Sequence, residues 1–254
     1  MVEVEDEIEA LGDALLAADT AVAFTGAGVS TASGIPSFRG DDGVWRTRFD
    51  PDDFRVGRLD ADPAGFWRDR LDLHEAMFAA DPEPNAAHEA LAELERRDLL
   101  DAVVTQNTDG LHAAAGTERL LELHGNAQRV VCRGCGRRSD AADARRRVRE
   151  GECPPRCVEC DGVLKPDVVL FGEMLPGETL QEAKRLARES DVFLAVGSSL
   201  TVEPAASLPG LAAGDGTLAL VNFEETPYSS RAAVDLRADV TEVLPRIVER
   251  VDGQ

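Results

Sequence analysis

Lysine is nearly missing from this 254-residue chain: only Lys165 and Lys184 occur, and the other 25 basic residues are arginines. Positive charge is scarce overall, with 27 basic against 48 acidic side chains and a net charge of −21. Binding to nucleic acid regardless of sequence needs positive charge facing the phosphates, so it is disfavoured. No apolar run approaches the roughly 18 residues of a membrane span. The opening Met1-Val-Glu-Val-Glu-Asp-Glu has the wrong sign for a secretory leader, so a cytoplasmic location without a membrane partner is expected. No G-x-S-x-G elbow is present, which leaves a serine hydrolase without its nucleophile. Sequence repeats and long low-complexity linkers are also missing. The acids are spread along the chain and not blocked into a tail, which fits a surface adapted to high salt; attraction of a cationic partner is the alternative.

The length and a 43% hydrophobic content suit one good core with a small appended module. Short apolar runs at Ala21–Phe24, Ala102–Thr105, Leu120–Leu123, Val168–Phe171, Val192–Val196 and Leu218–Val221 read as buried strands. Helical patterns lie between most of them, over 5–18, 84–94 and 177–189, with 239–250 closing the chain. That alternation predicts an α/β fold with a doubly wound, Rossmann-like parallel sheet. Two stretches break the rhythm. Residues 41–83 are rich in Asp, Arg and Pro with scattered aromatics, and residues 127–166 hold all five cysteines and the run Arg145-Arg-Arg147. Both read as insertions that together form one smaller domain. The Rossmann-like domain then comprises 1–40, 84–126 and 167–254, and the small one a helical module (41–83) and a zinc-binding module (127–166).

The stretch Thr25-Gly-Ala-Gly-Val-Ser-Thr-Ala-Ser-Gly-Ile-Pro-Ser-Phe-Arg39 follows the first strand directly. A glycine-rich turn after a strand is how α/β proteins bring backbone N–H groups to a diphosphate. The dinucleotide fingerprint G-x-G-x-x-G is not met, because Thr31 stands where the third glycine belongs after Gly26 and Gly28. A hydride-transferring dehydrogenase is therefore the weaker reading.

Cys132-Arg-Gly-Cys135 and Cys157-Val-Glu-Cys160 are two C-x-x-C knuckles. Each places two thiolates on one side of a tight turn, and two knuckles complete a tetrahedral zinc site. Four thiolates leave no open position, so this zinc is expected to hold the module together and take no part in a reaction. Disulfides are the alternative and suit a cytoplasmic protein poorly. Cys153 lies at a chain distance from Cys135 that also suits a ribbon, and it competes with Cys157 for the fourth position; knuckle geometry favours Cys157.

Thr105-Gln-Asn-Thr-Asp-Gly-Leu-His112 follows a buried strand, where ligands of open α/β sheets bind. Gln106, Asn107 and Asp109 are thus placed to meet a ligand, with helix capping as their bland role. Of the four histidines, His88 and His112 sit in helical patterns and His74 in an acidic insertion. His124 ends a strand and is the best general base. Gly197-Ser198 suits a phosphate or ribose, and Asn222 and Glu224 suit ribose hydroxyls or an adenine edge.

Taken together these motifs resemble the sirtuins, NAD-dependent protein-lysine deacylases, over nearly the whole chain. The resemblance is carried by the cradle 25–40, by Thr105-Gln-Asn-Thr-Asp-Gly-Leu-His, His124-Gly125, the cysteine pairs, Lys165-Pro-Asp-Val-Val-Leu-Phe-Gly-Glu173 and Gly197-Ser-Ser-Leu-Thr-Val-Glu-Pro204. It implies that Gly26, Ala27, Gly28, Ser30, Phe38, Arg39, Gln106, Asn107, Asp109, Gly197, Ser198, Ser199, Asn222, Glu224 and Val240 line an NAD site. It implies that His124, Asn107 and Asp109 are catalytic, and that Cys132, Cys135, Cys157 and Cys160 hold one structural zinc. An acetylated-lysine protein would thread between the domains along Val169, Phe171, Gly172, Glu173, Leu200 and Val202, by strand pairing that reads backbone more than side chains. In the family's reaction the acyl oxygen attacks the nicotinamide ribose, and nicotinamide, O-acetyl-ADP-ribose and free lysine result.

Two departures stand out. Desuccinylating relatives carry Tyr-x-x-Arg where this chain has Trp67 and Arg70, and the family's G-x-A near the C-terminus is Ala238-Asp-Val240 here. Mono-ADP-ribosyl transfer and an NAD- or ADP-ribose-binding sensor with a zinc-ribbon module are the competing functions. A monomer is expected.

Overall fold

Five consecutive buried residues, Ala21–Thr25, form the strand at the centre of the molecule, in a computed structural model that describes residues 2–38, 43–212 and 216–253. In chain order the first half contains α1 (Val2–Ala17), β1 (Ala21–Thr25), α2 (Val44–Thr47), α3 (Val56–Ala61), α4 (Pro63–Met77), α5 (Ala86–Arg96), β2 (Ala102–Thr105), α6 (Leu111–Ala114) and β3 (Leu120–Glu122). The second half contains β4 (Gly125–Cys132), β5 (Arg138–Asp140), α7 (Ala141–Arg149), β6 (Leu164–Val168), α8 (Gly177–Glu189), β7 (Val192–Val196), α9 (Leu208–Leu211), β8 (Thr217–Val221), β9 (Val234–Leu236) and α10 (Val240–Asp252).

Six strands form one parallel sheet in the order β3-β2-β1-β7-β8-β9. Strands buried on both faces have no polar side to show, which is why they read as continuous apolar runs. Their side chains alternate between two cores. Ala21, Ala23, Val103, Leu194 and Val221 meet α1, α5 and α10 on one face. Val22, Phe24, Val104, Phe193 and Leu220 meet α8 and α9 on the other, with Phe24 stacked on Phe193 at 6.1 Å. In α10 the buried Val240, Val243, Leu244, Ile247 and Val251 recur every three or four residues, the period that turns one helical face to a sheet. Chain order reverses between β1 and β7, so the loops leaving these two strands part and open a crevice at their carboxyl ends.

The second unit is a three-stranded antiparallel sheet, β5-β4-β6. It shares one core with the helical insertion: Leu59, Phe66 and Trp67 pack with Ala127, Val130, Ala141, Ala144 and Leu164. Trp67 is fully packed, and its indole N–H donates to Leu164 O at 2.8 Å. One sequence expectation is corrected here. Val168–Phe171 is not a strand of the main sheet; β6 runs Leu164–Val168 in the small sheet, and the chain then crosses between the units. Val169 N donates to His124 O at 2.9 Å, and Phe171 N to Phe54 O at 3.3 Å, so backbone satisfaction comes from two different partners and no ladder forms. The small sheet runs from Gly125 to Val168.

Candidate active site

The loop leaving β1 and the loop leaving β7 are pressed together. Gly28 N donates to Gly197 O at 2.8 Å, and a Cβ on Gly28 would lie 2.7 Å from that oxygen and 2.9 Å from Gly197 Cα. One on Gly26 would meet Ser198 Cβ at 2.8 Å. These glycines thus serve loop-on-loop packing, a reason the sequence alone did not disclose.

Behind the β1 loop lies a buried polar network. Ser30 Oγ donates to Asp109 Oδ2 at 2.9 Å and accepts from Asn107 Nδ2 at 3.1 Å, and Asn107 Nδ2 also reaches Gly26 O at 3.0 Å. Gln106 Nε2 donates to Ser198 Oγ at 2.9 Å, tying the β2 loop to the β7 loop. Asp109 Oδ1 accepts from Leu111 N at 2.9 Å, at the first residue of α6. Burial raises the Asp109 pKa, against the hydrogen bonds from Leu111 and Ser30, and the charge of Glu122 adds to the rise.

His88 and His112 are both buried, with rings 4.8 Å apart. His88 belongs to the capping box of α5 with Asn85, whose Nδ2 holds Val29 O at 2.8 Å and Ser33 Oγ at 2.9 Å. The helix start therefore fixes the cradle. His112 Nε2 meets Thr25 Oγ1 at 2.9 Å, whereas its Nδ1 is buried without a partner among the described residues. Burial pushes His88 down to about 4 and His112 to about 3, the latter aided by His88.

His124 sits where β3 ends and β4 begins. Its Nδ1 lies 3.1 Å from Gln106 O, an acceptor only, so Nδ1 carries a proton. Its own carbonyl is held by Val169 N, which ties the ring to the crossing segment. On that segment Phe171 uses both backbone groups, donating to Phe54 O and accepting from Val56 N at 3.0 Å, and its ring meets Trp45 edge-on at 5.6 Å. A peptide pairing there would have to use neighbouring residues. Glu173 Oε2 accepts from Leu170 N at 2.8 Å and pairs with Lys165 Nζ at 2.9 Å, while Lys165 also donates to Val168 O at 2.7 Å.

A cleft of about 480 Å³ opens at the crevice, lined by Ala27, Ser30, Phe38, Asn107 and Asp109 together with Arg70, Leu73, His74, Met77 and Phe78. Apart from Arg70, the α4 residues were missed in the sequence, where His74 was set aside with its acidic insertion. Their signal was present: 70, 73, 74 and 77 share the helical spacing of one face. Gln106, Gly197 and Ser198 adjoin the cleft through the bonds above. Ser199 and Asn222 follow β7 and β8, with Asn222 Nδ2 donating to Glu224 O at 2.8 Å. Leu200 is buried and holds a positive φ of 52°. Val240 turns its side chain into the main core. Arg39 lies outside the described residues.

The four knuckle cysteines converge, with all Sγ atoms within 4.8 Å of one another. Gly134 N and Cys135 N donate to Cys132 Sγ at 3.3 and 3.4 Å, and the Cys135 bond leads the causes that bring the Cys132 pKa down to about 6. A Cβ on Gly162 would come within 2.8 Å of the same sulfur, so glycine is what lets the turns close. Soft thiolates in a closed set of four fit structural zinc. Cys153 stands apart, its Sγ donating to Ala64 O at 3.1 Å.

A parallel sheet with its crevice at the chain reversal, a glycine-lined loop and a separate four-cysteine ribbon define a nucleotide-binding α/β protein with a zinc module. Residues 26–204 match the Sir2 family model. The chain is 64% identical over 249 residues to the NAD-dependent protein deacetylase of Haloarcula marismortui, covering 97% of this chain and 95% of that protein. It is 44% identical to the NAD-dependent protein deacetylase of Sulfolobus acidocaldarius, covering 98% and 96%. A solved structure described as Sir2 with a p53 peptide and NAD+ superposes with a TM-score of 0.85 at 34% identity, covering 97% of this chain and 99% of that one. The chain belongs to the Sir2 family.

Proposed function

We propose that the chain is an NAD-dependent protein-lysine deacetylase. The observation that carries this reading is the contact of His124 with the β2 loop. The half-buried imidazole bonds through Nδ1 to Gln106 O, and the same loop supplies Asn107 and Asp109 to the cleft wall. Relatives at 64% and 44% identity bear that activity in their names.

A cleft at the carboxyl ends of parallel strands suits the nicotinamide-ribose half of NAD against Ala27, Ser30, Asn107 and Asp109. Gly26, Gly28, Phe38, Arg39, Gln106, Gly197, Ser198, Ser199, Asn222, Glu224 and the Val240 backbone complete the proposed NAD site. When bound, NAD supplies a ribose carbon that exchanges nicotinamide for the acyl oxygen of the substrate lysine. Asn107 and Asp109 orient that ribose from a wall already fixed by Ser30. His124 Nε2 takes the proton of a ribose hydroxyl, and Gln106 O steadies the imidazolium that results. The acetyl-lysine peptide passes Val169, Phe171, Gly172, Glu173, Leu200 and Val202. The zinc at Cys132, Cys135, Cys157 and Cys160 is structural. The division into 1–40, 84–126 and 167–254 against 41–83 and 127–166, a cytoplasmic location and a monomeric state belong to the same reading. No helix among the described residues is long and apolar enough to cross a membrane.

Incubation with an acetyl-lysine peptide and NAD is expected to release nicotinamide and O-acetyl-ADP-ribose in equal amounts. Acetate formed without NAD consumption overturns the reading, as does ADP-ribose left on protein. His124→Ala is expected to lower turnover by about 10²–10⁴-fold, the usual worth of a general base, with NAD affinity largely kept.

A further inference from the structure

Lys165 and Glu173 bracket the segment that crosses between the two units, and their side chains are only 14% and 26% exposed. Lysine and glutamate leave water this far only where partners offset the lost hydration. Here the partners belong to the segment itself. Lys165 Nζ donates to Val168 O at 2.7 Å and pairs with Glu173 Oε2 at 2.9 Å, and the same carboxylate oxygen accepts from Leu170 N at 2.8 Å. The base of the lysine is fixed by the small sheet, where β6 sets it opposite Val131 of β4. The ion pair therefore closes over the segment like a latch, hinged on a strand at one end.

The turn beneath the latch is tight. Glu173 N donates to Leu170 O at 3.0 Å, and Gly172, third of these four residues, holds φ at +90°, as a type II turn requires. Leu170 thus has both backbone groups on Glu173, its N–H on the carboxylate and its carbonyl on the amide. Phe171 has both on Phe54 and Val56, and Val169 gives its N–H to His124 O. Among the described residues, Val169 O and the two backbone groups of Gly172 are what the segment leaves open to a pairing strand. The Glu173 carboxylate is occupied by the turn and is not a group the substrate reads. We propose that Lys165 and Glu173 are positioning residues for the acyl-lysine peptide, holding the 168–173 turn in the shape against which the peptide pairs.

All the bonds of the latch lie within 165–173, so their loss loosens a turn without opening a core. A peptide must then order the turn as it binds, and that cost enters its KM. The cleft residues Ala27, Ser30, Asn107 and Asp109 stand on other loops, and Val169 N reaches His124 O without help from either side chain. NAD affinity and kcat at saturating peptide are therefore expected to hold, the signature of binding lost equally from ground state and transition state. The role in peptide binding rests on the deacetylase reading; the latch itself does not.

The test compares Lys165→Met, Glu173→Gln and Glu173→Ala in the zinc-loaded full chain, with an acetyl-lysine peptide and NAD in one KCl buffer. Glu173→Ala is expected to raise the peptide KM by about tenfold, with kcat within about threefold and the calorimetric NAD affinity unchanged. Glu173→Gln should raise it less, because an amide oxygen can still accept from Leu170 N. Lys165→Met combined with Glu173→Ala should be no worse than Glu173→Ala alone, since the two act as one unit. Hydrogen exchange over 168–173 should quicken in Glu173→Ala while β1 keeps its protection. A peptide KM unmoved in Glu173→Ala overturns the proposal, as does a fall of kcat, NAD affinity and thermal midpoint together. A wild-type chain that consumes no NAD with the peptide refutes the deacetylase reading instead. The latch is then judged by exchange alone, and unchanged protection of 168–173 in Glu173→Ala overturns it.

Discussion

Gly125 is the position where a single methyl group should do most harm. It follows His124, holds φ at +74° and pairs with Val168 across the start of the small sheet. A Cβ there would lie 2.1 Å from Asp167 O and 3.0 Å from Asp167 C. Gly136 has the same φ of +74°, yet a Cβ on it would meet nothing within 4 Å. The pair separates two costs. Left-handed backbone costs an L-residue about 1–2 kcal/mol at either site. Only Gly125→Ala adds the overpacking cost, about 1–3 kcal/mol, because β6 must retreat by roughly 1 Å to restore ordinary contact. Gly125→Ala is thus expected to lose about 2–5 kcal/mol and Gly136→Ala about 1–2 kcal/mol. Since Val169, just past β6, holds the His124 carbonyl, the retreat also moves the imidazole, and misplacement by about 1 Å costs on the order of 10²-fold in rate. Urea unfolding of both variants in one KCl buffer with zinc measures the stabilities, and deacetylation of a peptide measures the rates. Stabilities within about 0.5 kcal/mol of each other, with turnover intact in Gly125→Ala, would refute the steric argument.

Stripping zinc with a chelator, or Cys132→Ser, is expected to unfold the β4-β5-β6 ribbon while the six-stranded sheet keeps its circular dichroism; an unchanged ribbon by hydrogen exchange would contradict this. His88 and His112 have folded pKa values near 4 and 3, below the ordinary 6.5. In mild acid the unfolded chain therefore binds more protons. Their stabilisation is complete above about pH 6.5 and is lost as pH falls toward 4, at up to about 1.4 kcal/mol per pH unit for each, readable from unfolding midpoints at pH 7 and 5. With a net charge of −21, the thermal midpoint is expected to climb as KCl is raised toward molar concentrations, and a flat or falling midpoint would remove the high-salt reading of the surface.

The main sheet was legible because strands such as Ala21–Thr25 and Val192–Val196 are buried on both faces, which leaves an unbroken apolar signature. The knuckles were legible because a thiolate pair is fixed by local spacing. Val168–Phe171 has the same signature and a different fate: it is buried between two units, and composition does not record which partner a backbone takes. The cradle glycines were read as making room for a ligand, yet Gly26 and Gly28 are required by a loop 170 residues away in the chain. The Arg70–Met77 face was hidden by the acids interleaved with it, since those acids line the opposite side of the same helix.

Lys165 gives the scarcity of lysine a further meaning. Its ammonium is committed to Val168 O and Glu173, and Lys184, half-exposed on α8, is the other primary amine on a side chain. Reactive acyl donors modify amines and leave guanidinium groups alone. A chain whose cationic side chains are almost all arginine therefore offers such donors few amines to modify.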